Sequence, residues 1–212
     1  MRKSIIKALT GAALSLVLAA STIAPVQADA AAKSYTVRMM YMDDASVVTS
    51  FKADGSSVAQ SSIKNKKGTQ SCTLTLNRAD CVKQGTDTKS PASQKIKYTR
   101  VLCVDVVDIL KDHGSGIKSA AKAKVKPTTL KFSNVAVKVD GKAVKLTQSK
   151  LDQGWIEDDT KNYRLDICNI WNRSAENYDQ SSLKVKNCCV KSLTAFNFTK
   201  ALQVSFNFTI KK

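Results

Sequence analysis

Two tryptophans stand where their side chains could do chemistry. Trp155 lies in "DQGWIEDD", after Gly154 and before Glu157, Asp158 and Asp159, in what reads as a polar loop; Trp171 is framed by Asn169 and Asn172 in "CNIWN". An exposed indole stacks on the C–H face of a sugar ring while nearby amides and carboxylates bond the hydroxyls, and such a site needs few polar groups. Tyr178 in "SAENYDQSS" and Tyr41 beside Asp43 and Asp44 offer the same combination. Each also has a structural alternative. Trp155 can fold over a strand end, Trp171 can pack in the core, and the two asparagines can satisfy backbone groups at a strand end.

A second kind of chemistry is carried by charge. The chain holds 34 Lys and Arg against 17 Asp and Glu, a formal net charge of +17. Such an excess concentrates anionic partners at the surface without specifying a fold. Beyond residue 30, 26 of the 31 basic residues are lysine, a compact hydrated charge that favours diffuse attraction over bidentate clamping. The densest runs are "IKNKKG", with Lys64, Lys66 and Lys67, and "KSAAKAKVKP", with Lys122, Lys124 and Lys126. A solvated lysine face that keeps the protein dispersed is the plainer reading of both. Nucleic acid is not the expected partner, because neither an RNA-recognition aromatic motif nor a helix-turn-helix pattern accompanies the charge.

Catalysis and metal chemistry find little support. Glycoside hydrolysis needs two carboxylates facing across a cleft, and the spacing sets no such pair. The single histidine, His113 in "KDHGSG", lacks a nucleophile context and reads as a helix-end or turn residue. The chain is therefore expected to be a non-enzyme without a cofactor. Calcium is the one ion left open, since Asp43–Asp44 or Glu157, Asp158 and Asp159 could supply oxygen ligands, although neither run has the EF-hand loop. Zinc would need more histidine, or paired C-x-x-C motifs.

Six cysteines follow the leader: Cys72, Cys81, Cys103, Cys168, Cys188 and Cys189. An even number in an exported chain permits a disulfide framework. Cys72 and Cys81 bracket "TLTLNRAD", and bridging them would restrict the unfolded chain by roughly 2.5–3 kcal/mol. That pair is the preferred bridge. Cys103 and Cys168, inside "RVLCVDVV" and "RLDICNIW", serve equally well as small buried hydrophobes.

These residues need a frame, and the chain supplies one after a targeting segment. Arg2, Lys3 and Lys7, an apolar stretch from Ile5 to Ala20, and "APVQADA" with cleavage after Ala28 or Ala30 predict a signal peptide over 1–30 and export from a bacterial cytoplasm. Its removal takes Arg2, Lys3, Lys7 and Asp29, lowering the net charge to +15. No second apolar stretch follows, so no transmembrane segment is expected after cleavage. Residues 31–212 are long enough for one buried core and show no linker.

Within that domain "ALQVSFNFTI" alternates strictly: Leu202, Val204, Phe206, Phe208 and Ile210 on one face, Gln203, Ser205, Asn207 and Thr209 on the other. Period two predicts a half-buried antiparallel strand. In "FSNVAVKVDGKAVKL" the Asp140-Gly141 pair predicts a type I′ turn. Val139 then faces Lys142, Val137 faces Val144 and Val135 faces Leu146, with Lys138 and Lys145 outward. Further strands are predicted over Tyr35–Met42, Ser71–Leu76, Ile96–Ile109 and Tyr163–Trp171, the third being central or running into a helical turn near Leu110. Without βαβ alternation, the fold class is all-β: an antiparallel, jelly-roll-like β-sandwich with at most short helices.

"LKFSNVAVKVDGKAVKL", "NYRLDICNIWN" and "LQVSFNFTIKK", preceded by "YTRVLCVDVVDILKD", resemble the carbohydrate-binding-like β-sandwich modules of secreted and cell-surface proteins from Gram-positive anaerobes. The resemblance covers roughly residues 96–212 and implies a sandwich fold with non-catalytic glycan binding. The chain departs from those modules in its lysine and cysteine content and its few aromatics. Two functions are expected, in this order. One is a secreted glycan-binding sandwich using Trp155, Trp171, Tyr178, Asn169 and Asn172. The other is a cell-envelope or host-interaction protein whose lysine surfaces hold anionic polymers such as teichoic acids, acidic polysaccharides or mucin-type glycans.

Overall fold

The alternating C-terminal segment is the axis of one sheet. In the computed structural model, which describes residues 33–83, 90–114, 128–155, 160–170, 178–179, 184–185 and 188–211, it forms a ten-residue strand with Leu202, Val204, Phe206, Phe208 and Ile210 all buried. In chain order the elements are β1 (Ser34–Asp43), β2 (Gln60–Lys64), β3 (Gly68–Asn77), β4 (Thr99–Val106), α1 (Leu110–His113) and β5 (Leu130–Val139). There follow β6 (Lys142–Val144), β7 (Asp152–Trp155), β8 (Tyr163–Asn169), β9 (Tyr178–Asp179), β10 (Lys184–Val185) and β11 (Ala201–Ile210). One sheet has the order β2-β1-β4-β8-β7 and the other β3-β11-β5-β6; β9 and β10 pair separately. Every pairing is antiparallel. The chain is thus an all-β sandwich, as its periodicity predicts. The described residues fall in one compact unit, Ala32–Lys212. The predicted leader, Trp171, Asn172, Lys122, Lys124, Lys126, Glu157, Asp158 and Asp159 lie outside the described residues.

The two sheets meet through aromatic contacts centred on Phe132. Its ring stacks on Tyr163 of the opposite sheet, with centroids 5.5 Å apart and planes 3° off parallel, and meets Phe206 and Phe208 edge-on at 5.2 and 4.8 Å. The Tyr163 hydroxyl donates to the Leu130 carbonyl at 3.3 Å, giving the phenol a partner inside the core. Aromatic pairs of this geometry add about 0.5–1.5 kcal/mol each beyond the area they bury.

The hairpin follows the register set by its turn. Asp140 and Gly141 both take positive φ, 49° and 83°, and Val137 pairs with Val144 and Val139 with Lys142. The third expected pair does not form, because β6 ends at Val144. Instead Gln148 bonds both backbone groups of Val135, its Oε1 accepting the N–H at 3.2 Å and its Nε2 donating to the carbonyl at 2.6 Å. Upstream, Asn134 enters the left-handed region at φ 51° where the β11 register shifts. This bulge lets Phe132 and Val135, three positions apart, both face the core.

Glutamine does the same work between the sheets. Gln153 of β7 accepts from Phe132 N–H at 2.9 Å and donates to its carbonyl at 3.1 Å, while Gln70 of β3 serves Lys64 at the end of β2 at 2.9 and 2.7 Å. Each side-chain amide stands in for a missing neighbour strand at an open edge.

Two predicted strands are shorter than expected. The third ends at Val106; Asp108 turns at φ 59°, its N–H bonded to Asn162 Oδ1, and α1 begins at Leu110. The strand from Tyr163 ends at Asn169.

The expected Cys72–Cys81 bridge is not formed here: none of the six cysteines is joined in a disulfide. The residues from Cys72 to Asn77 run straight along β3 and span roughly 17 Å at about 3.4 Å per residue. Cys81 Sγ lies beside the Asn77 carbonyl, 3.5 Å away, at the far end of that strand. A bridge needs Cα atoms within about 7 Å.

Replacing Gln153 with Ala strands two partly buried backbone groups, so the urea midpoint should fall by the equivalent of about 1–3 kcal/mol with an unchanged slope. Gln70→Ala, at an exposed site where water can replace the amide, should stay within about 0.5 kcal/mol of the parent.

Candidate functional site

Of the residues expected to bind sugar, Trp155 and Asn169 have described surroundings, while Trp171 and Asn172 lie outside the described residues. Trp155 is half-buried and lies in the edge strand β7, paired with Arg164 of β8, not in a loop. Gly154, at φ 90°, supplies the bulge that seats it. Asn169 is buried at the end of β8, where its Nδ2 donates to Asp166 Oδ1 at 3.4 Å. Tyr178 is in β9. Tyr41 is fully buried, its ring edge-on to Phe198 at 5.2 Å.

The acidic and histidine candidates serve the fold. Asp43 is buried, and its Oδ1 accepts from the N–H groups of Val47 and Val48 at 2.8 and 3.0 Å. Burial raises its pKa against the pull of those two bonds. Asp44 Oδ1 accepts from Lys97 N–H at 2.9 Å. His113 ends α1, with Nε2 2.9 Å from Asn65 Oδ1 and its ring edge-on to Tyr35. Among the described residues no cluster of three or more His, Cys, Asp or Glu suits a metal.

Sheet pleating places a polar network on the outer face of β4 and β8. Asp105, fully buried, is held by Arg164 through Nε–Oδ1 at 2.6 Å and Nη2–Oδ2 at 2.9 Å, and Arg38 Nη2 adds a contact at 3.3 Å. Two positions on, the Cys103 thiol donates to Asp166 Oδ1 at 2.8 Å. Burial pushes Asp166 up to about 6, against the Cys103 bond and the Arg164 charge. Burial likewise drives the Cys103 and Cys168 thiols upward. Such thiols stay protonated, without the thiolate that nucleophilic or metal chemistry needs.

Sequence reasoning missed the cleft. A cavity of about 510 Å³ opens between residues 144–150, leading out of the β5–β6 hairpin, and residues 188–195. The Thr147 N–H donates to the Cys189 carbonyl at 2.8 Å and ties the two walls together. Lys145 and Lys150 stand on one wall and Lys191 on the other, all three exposed, and among the described residues the lining contains no acidic one. None of these ammonium groups is ion-paired among the described residues. The only trace in the sequence is the outward parity of Lys145 on its hairpin. Lys64, Lys66 and Lys67 are exposed at the β2–β3 turn, separate from this cleft.

Comparison of the chain with family models, curated proteins and solved structures found no match. Among the described residues no helix is long and apolar enough to cross a membrane.

Removing Arg164 leaves the buried Asp105 charge short of its main partner, so Arg164→Ala should lose about 3–5 kcal/mol in urea unfolding. Asp166 behaves oppositely with pH. Its raised pKa means the folded chain holds more protons than the unfolded one between roughly pH 4 and 6, so stability declines as pH rises through that window. Asp166→Asn should abolish that decline and gain on the order of 2–3 kcal/mol at pH 7 relative to the parent, as read from urea midpoints between pH 4 and 8.

Proposed function

We propose that this chain is an exported, non-catalytic β-sandwich that holds anionic polymers of a cell envelope or of acidic glycans through its lysine surfaces. The observation that carries this reading is the placement of charge. Lys131, Lys138, Lys142 and Lys145 are all exposed along β5, β6 and the segment beyond them. The cleft beyond the hairpin adds Lys150 and Lys191, with no acid among the described residues of its lining. Acids that could have neutralised the surface are partly withdrawn from it, since Asp43, Asp105 and Asp166 are buried. Asp140 is the one acidic residue between Lys131 and Lys150, so a polyanion approaching these lysines is attracted over roughly a Debye length, about 8 Å at physiological salt.

A second reading, recognition of uncharged glycan, rests on the resemblance of residues 96–212 to carbohydrate-binding-like modules and on the half-buried indole of Trp155 at a sheet edge. In that case binding depends on the ring face and not on ionic strength.

Binding of the full chain to lipoteichoic acid, polygalacturonate and uncharged glycans, followed between low and high salt, separates the two. The polyanion reading expects affinity to fall at least about tenfold from 0.05 to 0.5 M salt and Trp155→Ala to leave it unchanged. Salt-insensitive binding abolished by Trp155→Ala would replace it with the glycan reading.

A further inference from the structure

The cleft is a formed concavity within the basic surface. We infer that it is a subsite for a phosphate group, taking one phosphorylated polyol unit of an anionic polymer; the inference rests on the polyanion reading above and names the unit recognised.

The ammonium groups come from segments some 40 residues apart in the chain. Lys145 and Lys150 lie on the hairpin side and Lys191 faces them from the segment before β11, so only the fold assembles the trio. Three cations around one cavity, with no lining carboxylate among the described residues, favour a group whose charge is spread over several oxygens. Among the described residues the lining has no arginine, the residue suited to bidentate grip on a planar carboxylate, whereas lysine acts as a point charge on phosphate from any direction.

Hydroxyls complete the polar set. Thr147, Ser192 and Thr194 line the cavity, and Ser192 Oγ is fixed 2.9 Å from Thr194 Oγ1 while accepting the Thr194 N–H at 3.3 Å. Val144, Val190 and Ala195 give the same cavity an apolar component, which suits the C–H-rich chain of a polyol. Among the described residues no aromatic ring lines it to give a pyranose a stacking platform. A volume of about 510 Å³ lies within the usual range for a small-molecule site and accommodates one unit of a polymer, not a long run of it.

The test uses the full chain and titrates glycerol 3-phosphate, inorganic phosphate, poly(glycerol phosphate) and polygalacturonate by calorimetry. The cleft triple variant, Lys145→Gln with Lys150→Gln and Lys191→Gln, is compared with Lys64→Gln, Lys66→Gln and Lys67→Gln, which removes the same charge elsewhere. The inference expects the cleft variant to weaken glycerol 3-phosphate and its polymer at least about tenfold and the control variant to change them less than about twofold. Amide NMR shifts on titrating the unmodified chain should centre on Thr147 and Thr194, a readout independent of how the variants fold. Equal weakening by both variants would overturn the subsite while leaving diffuse polyanion binding intact. Polygalacturonate binding the cleft as tightly as the phosphate polymer would overturn the choice of phosphate, and inorganic phosphate matching glycerol 3-phosphate would overturn recognition of the polyol. No binding of any polyanion at low salt would remove the underlying reading as well.

Discussion

The sandwich depends on Phe132 being able to face inward. Its ring touches Tyr163 across the sheets and Phe206 and Phe208 along its own sheet, and Phe208 reaches Tyr163 as well. Period-two alternation through Val135 and Val137 would turn position 132 outward, and the left-handed turn at Asn134 corrects the parity. Asparagine tolerates that conformation better than a branched side chain would. One local backbone choice therefore decides whether the central aromatic contact forms.

The same strand shows how the sandwich closes its edges. Where β6 stops, Gln148 and Gln153 supply the hydrogen bonds that a longer neighbour would have supplied, the latter from the opposite sheet. An amide side chain carries one acceptor and one donor in the geometry of a peptide group, so it can satisfy a backbone N–H and C=O together. Short edge strands become tolerable, and the chain is free to leave the hairpin early. That early exit, at Val144, is what creates a wall for the lysine-bearing cleft.

Charge is sorted by the same geometry. Along β5 the even-numbered side chains past the bulge point to solvent and the odd-numbered ones inward, so the lysine at 138 has no other place to be. On β4 and β8 both faces are covered, and there Asp105 and Arg164 are held as a bidentate pair while Asp166 is bonded by a thiol and an amide. Asp43, Asp105 and Asp166 are drawn inside together with Arg164, while Lys131, Lys138, Lys142 and Lys145 remain outside.

Sequence by itself determined the all-β class, the β11 alternation, the turn at Asp140-Gly141 and the inward and outward sides of the hairpin. Each follows from backbone geometry acting over a few residues, where side-chain period and turn stereochemistry leave little choice. The position of Trp155 in an edge strand, the separation of Cys72 from Cys81 along β3, and the meeting of Lys145, Lys150 and Lys191 around one cavity were decided only by tertiary structure. The spacing of two cysteines is silent on whether the chain between them is extended. Likewise, no local rule brings residue 191 to face residue 145, because that contact is fixed by how two distant segments pack against a shared core.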